Sequence, residues 1–231
     1  AAIAANYAKH RGVWPEILQP LLENSGVGRD SQVLEVGCGT GNYIIAVQFI
    51  TGCQARGVDI SEEMLAHAKR RDSPVTFAVG SAEYLDVADA SLDLVFSVDV
   101  THHLGSPADH YREAHRVLAP GGLAIIMLYN RKSIHYWIKT RFYFGFALGE
   151  DKYLGREVTD DWYTDGPGYV HVHYYEPSDL PSLVGRFSKV QYFLDCLSPE
   201  QIPLFGMPRS HRVYQWLHRR FGFFMWIKAW R

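Results

Sequence analysis

The chain is 231 residues long, 47% hydrophobic and 21% charged, enough to bury the core of a single α/β domain. Its formal net charge of -2 gives no general attraction to nucleic acid or to an anionic membrane, so DNA is not expected as a partner and any charged partner would need a local patch. Three widely spaced cysteines, Cys38, Cys53 and Cys196, offer neither a disulfide framework nor a metal-binding pair, which predicts a reducing, cytoplasmic setting and no metal.

The opening Ala1-Ala2-Ile3-Ala4-Ala5-Asn6 lacks the length and basic region of a signal peptide, and no apolar run has the length of a membrane span. Val13, Ile17, Leu18, Leu21 and Leu22 fall at helical spacing and predict one or two helices within Ala8–Leu22, part of a helical cap over about residues 1–25. The stretch Val33-Leu34-Glu35-Val36-Gly37-Cys38-Gly39-Thr40-Gly41 then drops an apolar strand into three alternating glycines, followed by a run from Tyr43 to Ile50 that can form a helix. Glycine permits positive φ and lets a ligand approach bare backbone, and a helix start presents N–H groups, so the turn is suited to holding a ligand. The spacing is not that of a dinucleotide fingerprint, and a phosphate-binding lysine is missing.

A second strand, Gln54 to Ile60, carries Asp59 near its end, and Ser61 caps a helix whose first turns hold Glu62, Glu63, Met64, Leu65 and Ala68. An acid at that edge can accept two hydrogen bonds from a ribose diol, because ligands of open parallel sheets bind beyond the carboxyl ends of the strands. Val75 to Val79 predicts a third strand, followed by Gly80-Ser81-Ala82-Glu83, and Leu92 to Ser97 a fourth, followed by Val98-Asp99-Val100-Thr101-His102-His103-Leu104. Pro107 to Leu118 predicts a helix stopped by the turn Ala119-Pro120-Gly121-Gly122, and Leu123 to Leu128 a fifth strand.

Residues 129–186 are rich in Tyr, Trp, His, Gly and Asp, with a sharp turn at Asp165-Gly166-Pro167-Gly168. An insertion of this size is more than a connection, and it is the candidate substrate lid. Lys189 to Leu194 predicts a strand, Arg209 to Arg220 a helix stopped by Gly222, and Phe223 to Trp230 a last strand. After Glu200 there are six Lys or Arg residues and no acid, so Phe221 to Lys228 could instead be read as an aromatic, basic membrane anchor. The strand is the preferred reading.

Glu35-Val36-Gly37-Cys38-Gly39-Thr40-Gly41 resembles the first motif of class I S-adenosylmethionine-dependent methyltransferases, and Arg116-Val117-Leu118-Ala119-Pro120-Gly121-Gly122 resembles their later Pro-Gly-Gly motif with Ala in place of Lys. The resemblance covers roughly residues 30 to 130. It implies a Rossmann-like α/β fold, a seven-stranded sheet of order 3-2-1-4-5-7-6 with strand 7 antiparallel, and S-adenosyl-L-methionine as cofactor. Carried onto this sequence, the cofactor site comprises Glu35, Gly37, Cys38, Gly39, Gly41, Asp59, Ile60, Met64, Ser81, Ala82, Glu83, Val98 and Asp99, with Tyr7 and Arg11 folding over from the N-terminal cap. Ser81 stands where the family usually has an acid for the adenine, so Ser81 or Glu83 would have to make that contact.

Methyl transfer from a sulfonium asks the protein for positioning, desolvation and, for some acceptors, a base. His102 and His103 beyond the fourth strand, with His135 from the insertion, are the candidate catalytic residues. Tyr129, Tyr136, Trp137, His173 and Tyr175 are the candidate substrate contacts, able to stack on an aromatic acceptor or attract the sulfonium. No Asn/Asp-Pro-Pro-Tyr or Pro-Cys nucleophile follows the fourth strand, which argues against DNA amino or cytosine C5 chemistry. The expected activity is methyl transfer to oxygen or nitrogen of a small aromatic or amphiphilic molecule. An RNA methyltransferase is the second reading, less favoured because excess basic charge is confined to the end of the chain. A cofactor-binding partner protein without catalysis is the third, and the oligomeric state is open.

Overall fold

A computed structural model describes residues 12–134, 136–149, 157–160, 170–195 and 212–231, so Tyr7, Arg11, His135 and Cys196 lie outside the described residues. The sheet has seven strands in the order β3-β2-β1-β4-β5-β9-β8. They are β1 (Gln32–Val36), β2 (Gln54–Asp59), β3 (Thr76–Val79), β4 (Leu92–Ser97), β5 (Leu118–Tyr129), β8 (Lys189–Asp195) and β9 (Phe224–Trp230). A separate antiparallel pair, β6 (Glu157–Asp160) and β7 (Val170–His173), lies within the aromatic insertion. The order is the expected 3-2-1-4-5-7-6, with the last strand inserted between the fifth and the one before it. It is antiparallel to β5: the Gly121 N–H donates to Arg231 O at one end, and the Asn130 N–H to Phe223 O at the other. The alternative of a C-terminal membrane anchor is thereby set aside, since Phe223, Phe224, Met225, Trp226 and Ile227 are all buried.

The chain forms two compact units, one of Ala1–Ile126, Ser182–Val190 and Lys228–Arg231, the other of Met127–Pro181 and Gln191–Ile227. In the first, β1 is buried along both faces, as a central parallel strand must be, which is why it reads as a continuous apolar run interrupted only by Glu35. Its helices are α1 (Pro15–Ser25), α2 (Asn42–Thr51), α3 (Glu62–Ala68) and α4 (Pro107–Val117). Proline opens both α1 and α4, where its missing N–H costs nothing. Gly26 ends α1 in the left-handed conformation, and Ile17 and Leu21 turn its apolar face inward.

Sequence and structure differ at the Pro-Gly-Gly turn, which was expected to precede β5 and instead lies inside it. Leu118 pairs with Leu92 and Leu123 with Leu94, so the four residues between them loop out of an otherwise continuous strand. Gly121 takes φ +81 there, and Gly122 fits between the Ala119 and Leu92 carbonyls, where a Cβ would come within 2.9 Å of each.

The second unit is built on aromatic rings. Tyr174 packs on Tyr136 at 4.7 Å and on Tyr129 at 5.9 Å, and Tyr129 stacks on Phe223 at 4.9 Å between ring centres. Helix α5 (Arg212–Phe221) ends against β8, where His218 Nε2 lies 2.7 Å from Asp195 Oδ1. Residues 209–211 of the expected helix lie outside the described residues. Gly222 follows because any side chain there would overlap the Asp195 backbone.

The matched motif residue Arg116 has a structural task. It pairs with Glu113 at 2.7 Å and donates to the carbonyls of Leu85 (2.7 Å) and Val87 (2.9 Å), while Glu113 accepts the Leu85 N–H at 2.9 Å. Arg116→Leu leaves the buried Glu113 carboxylate without its cation and two carbonyls without a donor, and it should cost about 2–3 kcal/mol. Urea denaturation reads this; a loss near zero would show that the pair contributes nothing.

Candidate functional site

The carboxyl ends of β1, β2, β3 and β4 bring together, within the first unit, the residues expected to hold the cofactor, apart from Tyr7 and Arg11, which lie outside the described residues. Gly37, Gly39 and Gly41 all have positive φ (+71, +51 and +75). Two of the three are glycine for the sake of the protein itself. A Cβ on Gly37 would overlap the Val100 methyl groups, and one on Gly41 would meet the Phe77 ring at 2.8 Å. Gly39 carries the link to the next strand: its N–H donates to Asp59 Oδ2 at 2.7 Å, while Asp59 Oδ1 accepts the Ser61 N–H at 2.8 Å. Each carboxylate oxygen keeps a further lone pair for an incoming donor.

Glu35 and Cys38 support this loop from behind. Glu35 is buried and accepts the Ile44 N–H at 2.9 Å, supplying at the start of α2 the cap that Gly41 has no side chain to give. Burial pushes its carboxyl well above the usual carboxylate range, the Ile44 N–H opposes this, and the nearby Asp59 charge adds to it. Burial likewise drives the Cys38 thiol far up, with Glu35 and Asp59 adding to the shift. Its sulfur occupies the space over Gly57, so only the backbone of Cys38 is left to meet a ligand.

Beyond β2 and β3 the surface turns apolar and open. Ile60, next to Asp59, is 78% exposed, and Val79 (paired with Asp59) and Tyr84 are also exposed. Met64 sits in the first turn of α3, its N–H donating to the capping Ser61 Oγ at 3.2 Å. In the turn after β3, Ser81 Oγ accepts the Glu83 N–H at 3.1 Å and Glu83 Oε1 accepts the Ser106 N–H at 2.7 Å, so both candidates for the missing acid are held by backbone groups. After β4, Val98 is buried and Asp99 adopts φ +57, a left-handed conformation that Asp tolerates better than most residues. His102 and His103 follow on a 3₁₀ turn with ring centres 3.9 Å apart; His102 is buried and His103 exposed, so His103 is the imidazole a substrate could reach.

One residue of this frame was missed by the sequence reading. His110 on α4 is fully buried, and its Nδ1–H donates to the Ala82 carbonyl at 3.3 Å, which leaves Nε2 to accept the Ser97 hydroxyl at 3.3 Å. It ties the turn after β3 to the end of β4. The signal was a histidine on the apolar stripe shared with Ala114 and Val117.

Of the residues expected to touch substrate, Tyr129, Tyr136 and Tyr175 are buried, with their rings among the aromatic core of the second unit. Trp137 is exposed, and His173 is half-buried with its ring 4.5 Å from that of Tyr175. Among the described residues no group of His, Cys, Asp and Glu could hold a metal ion.

A seven-stranded sheet of this order, its last strand antiparallel and inserted beside β5, is the Rossmann-like methyltransferase fold, and solved structures share it. A methyltransferase dependent on S-adenosylmethionine from Mesorhizobium loti superposes with a TM-score of 0.64 at 24% identity, covering 97% of this chain and all of that one. Residues 34–126 match the family model described as a methyltransferase domain. This part of the chain, less than half of it, is similar to S-adenosylmethionine-dependent methyltransferase domains. A demethylmenaquinone methyltransferase from Chlorobaculum parvum is 35% identical over 99 residues, 43% of this chain and 41% of that protein. A norajmaline N-methyltransferase from Rauvolfia serpentina is 30% identical over 112 residues, 46% of this chain and 38% of that protein. The chain thus spans less than half the length of these two relatives.

Two outcomes follow from the site geometry. Gly37→Ala should destabilise the protein by about 1–3 kcal/mol through overpacking and strain, and Val100→Ala in the same chain should recover part of the loss; additive effects in a double-mutant cycle by urea denaturation would deny the contact. Burial, opposed by the Ala82 carbonyl, lowers the His110 pKa from 6.5 to about 4. The unfolded chain then takes up a proton near pH 6.5 that the folded one refuses until about pH 4, so stability is full above that window and falls as pH drops through it, by about 3 kcal/mol in all. His110→Asn should flatten this slope in unfolding measurements between pH 7 and 4.5, and an unchanged slope would assign it elsewhere.

Proposed function

We propose that this chain transfers the methyl group of S-adenosyl-L-methionine to an oxygen or nitrogen atom of a small aromatic or amphiphilic molecule. The observation that carries the reading is the carboxylate of Asp59, locked by Gly39 and Ser61 at the edge of β2 with lone pairs to spare, beside the exposed Ile60. Such a carboxylate takes a ribose diol, and the apolar surface of Ile60 and Val79 takes a flat base. The Ser81–Glu83 turn would hold the edge of the adenine, and Gly37 to Gly41 with Val98 and Asp99 the methionine end. The bound sulfonium supplies an electrophilic methyl group, and transfer is an in-line displacement.

For an acceptor that must lose a proton, the exposed His103 is the candidate base this reading favours over the buried His102. Trp137 and His173 are the remaining candidates for acceptor contacts. The relatives named above bear the names of a quinone and an alkaloid methyltransferase, which supports a small-molecule acceptor without selecting among acceptors. The buried free thiols of Cys38 and Cys53 support a reducing, cytoplasmic setting.

The test is a labelled-methyl assay against small-molecule extract, tRNA and protein, with calorimetry of the cofactor on the natural chain, Asp59→Ala and Gly39→Arg. Transfer into the small-molecule pool is expected, with cofactor affinity reduced about tenfold or more in each variant. Unchanged affinity in either would sink the site. Transfer into tRNA would favour the RNA reading, and tight binding with no transfer to any pool the non-catalytic one.

A further inference from the structure

Among the described residues of the second unit, one segment carries six large exposed apolar side chains. Tyr136–Ala147 is a helix of wide, π-type pitch, continued by Leu148, whose N–H donates to Tyr143 O five residues back at 3.0 Å. Tyr136 and Gly145 are buried, while Trp137, Ile138, Phe142, Tyr143, Phe146 and Leu148 are between 53% and 77% exposed. At this pitch, residues four or five apart sit one turn above another, so these side chains form a continuous stripe. Phe142 and Phe146 stack along it at 5.9 Å, and the Arg141 guanidinium lies 5.2 Å over the Trp137 ring.

Charge accompanies the stripe. Residues 131–149 hold four Lys or Arg residues and no Asp or Glu. Glu176 faces Arg131 (2.9 Å) and Lys132 (3.5 Å) and offsets part of this, leaving Arg141 on the stripe itself. Helix α5 repeats the pattern: Val213 and Trp216 are exposed, and Arg220 lies 5.8 Å over the Trp216 ring.

We infer that the stripe of residues 137–148 rests on an anionic lipid bilayer, lying in the interface. Large aromatic and aliphatic side chains gain by entering the headgroup boundary while neighbouring cations gain from lipid charge, and both features are present on the same turns. A second copy docked by the same face would bring like charges together. A nucleic acid would reward the cations and rings but leave Ile138 and Leu148 in water. No helix among the described residues is long and apolar enough to cross a membrane, which is consistent with a segment that lies on the surface. The inference does not rest on methyl transfer, and its test reads binding alone.

The full chain should co-sediment with vesicles of phosphatidylcholine and phosphatidylglycerol in equal parts, and about tenfold less with phosphatidylcholine alone. Phe142→Asp with Phe146→Asp should lower binding to the mixed vesicles about tenfold or more. Arg141→Glu, which leaves the apolar stripe intact and guards against misfolding of the double variant, should lower it several-fold and weaken its salt dependence. Equal binding to both vesicle types, or unchanged binding in both variants, would overturn the proposal. So would a concentration-dependent dimer in light scattering that both variants abolish, which would give the stripe to a second copy.

Discussion

The Asp59 carboxylate accepts one N–H from the glycine loop after β1 and another from the turn that begins α3, and the candidate site is arranged around that pair of hydrogen bonds. A loop with three left-handed glycines is costly to order, since glycine gives up more conformational freedom on folding than any other residue. A side chain that takes two backbone donors at once removes much of that freedom before any ligand arrives. The remaining supports act on the same loop from other directions: Val100 seated on Gly37, Phe77 against Gly41, and Glu35 at the start of α2. A ligand meeting this loop finds its donors and acceptors already placed, which is the cheaper route to affinity.

Much of this was legible because the residues concerned have narrow physical uses. Three alternating glycines after an apolar strand, an acid at the end of the next strand and a serine before a helix each admit few local structures, and all three stand where expected. His110 was not legible. It makes its bonds to Ser97 and Ala82 across long sequence separations, and only its place on an apolar helical stripe distinguishes it from a solvated histidine. Pro-Gly-Gly marks a change of direction in the sequence but not that the strand continues through it, because whether a strand resumes in register depends on its partner, here Leu92 and Leu94. Gly37 and Gly41 were read as glycines for a ligand's sake, and a single chain gives no means of telling a ligand's atoms from those of Val100 and Phe77.

The aromatic half shows the same limit in another form. Composition revealed an excess of rings after residue 129, but not which of them face inward. Tyr129, Tyr136, Tyr174 and Tyr175 supply the core of the second unit, whereas Trp137, Phe142 and Phe146, only a few residues away, remain outside. A wide-pitch helix has no 3.6-residue period, so an ordinary helical pattern search would not separate its two faces. What looked like a single aromatic region therefore divides into a structural set and an exposed set, with different expected roles.

The four-residue loop within β5 has a practical consequence. It leaves the strand at the edge of the sheet opposite the glycine loop and returns with the pairing to β4 intact, and Pro120 and Gly121 at its tip are exposed with open space around Gly121. Gly121 and Gly122 bond the Arg231 backbone, so the position open to modification without added residues is the Pro120 side chain. It is a suitable attachment point for a fluorophore or a surface tether, leaving the opposite edge of the sheet open to small molecules.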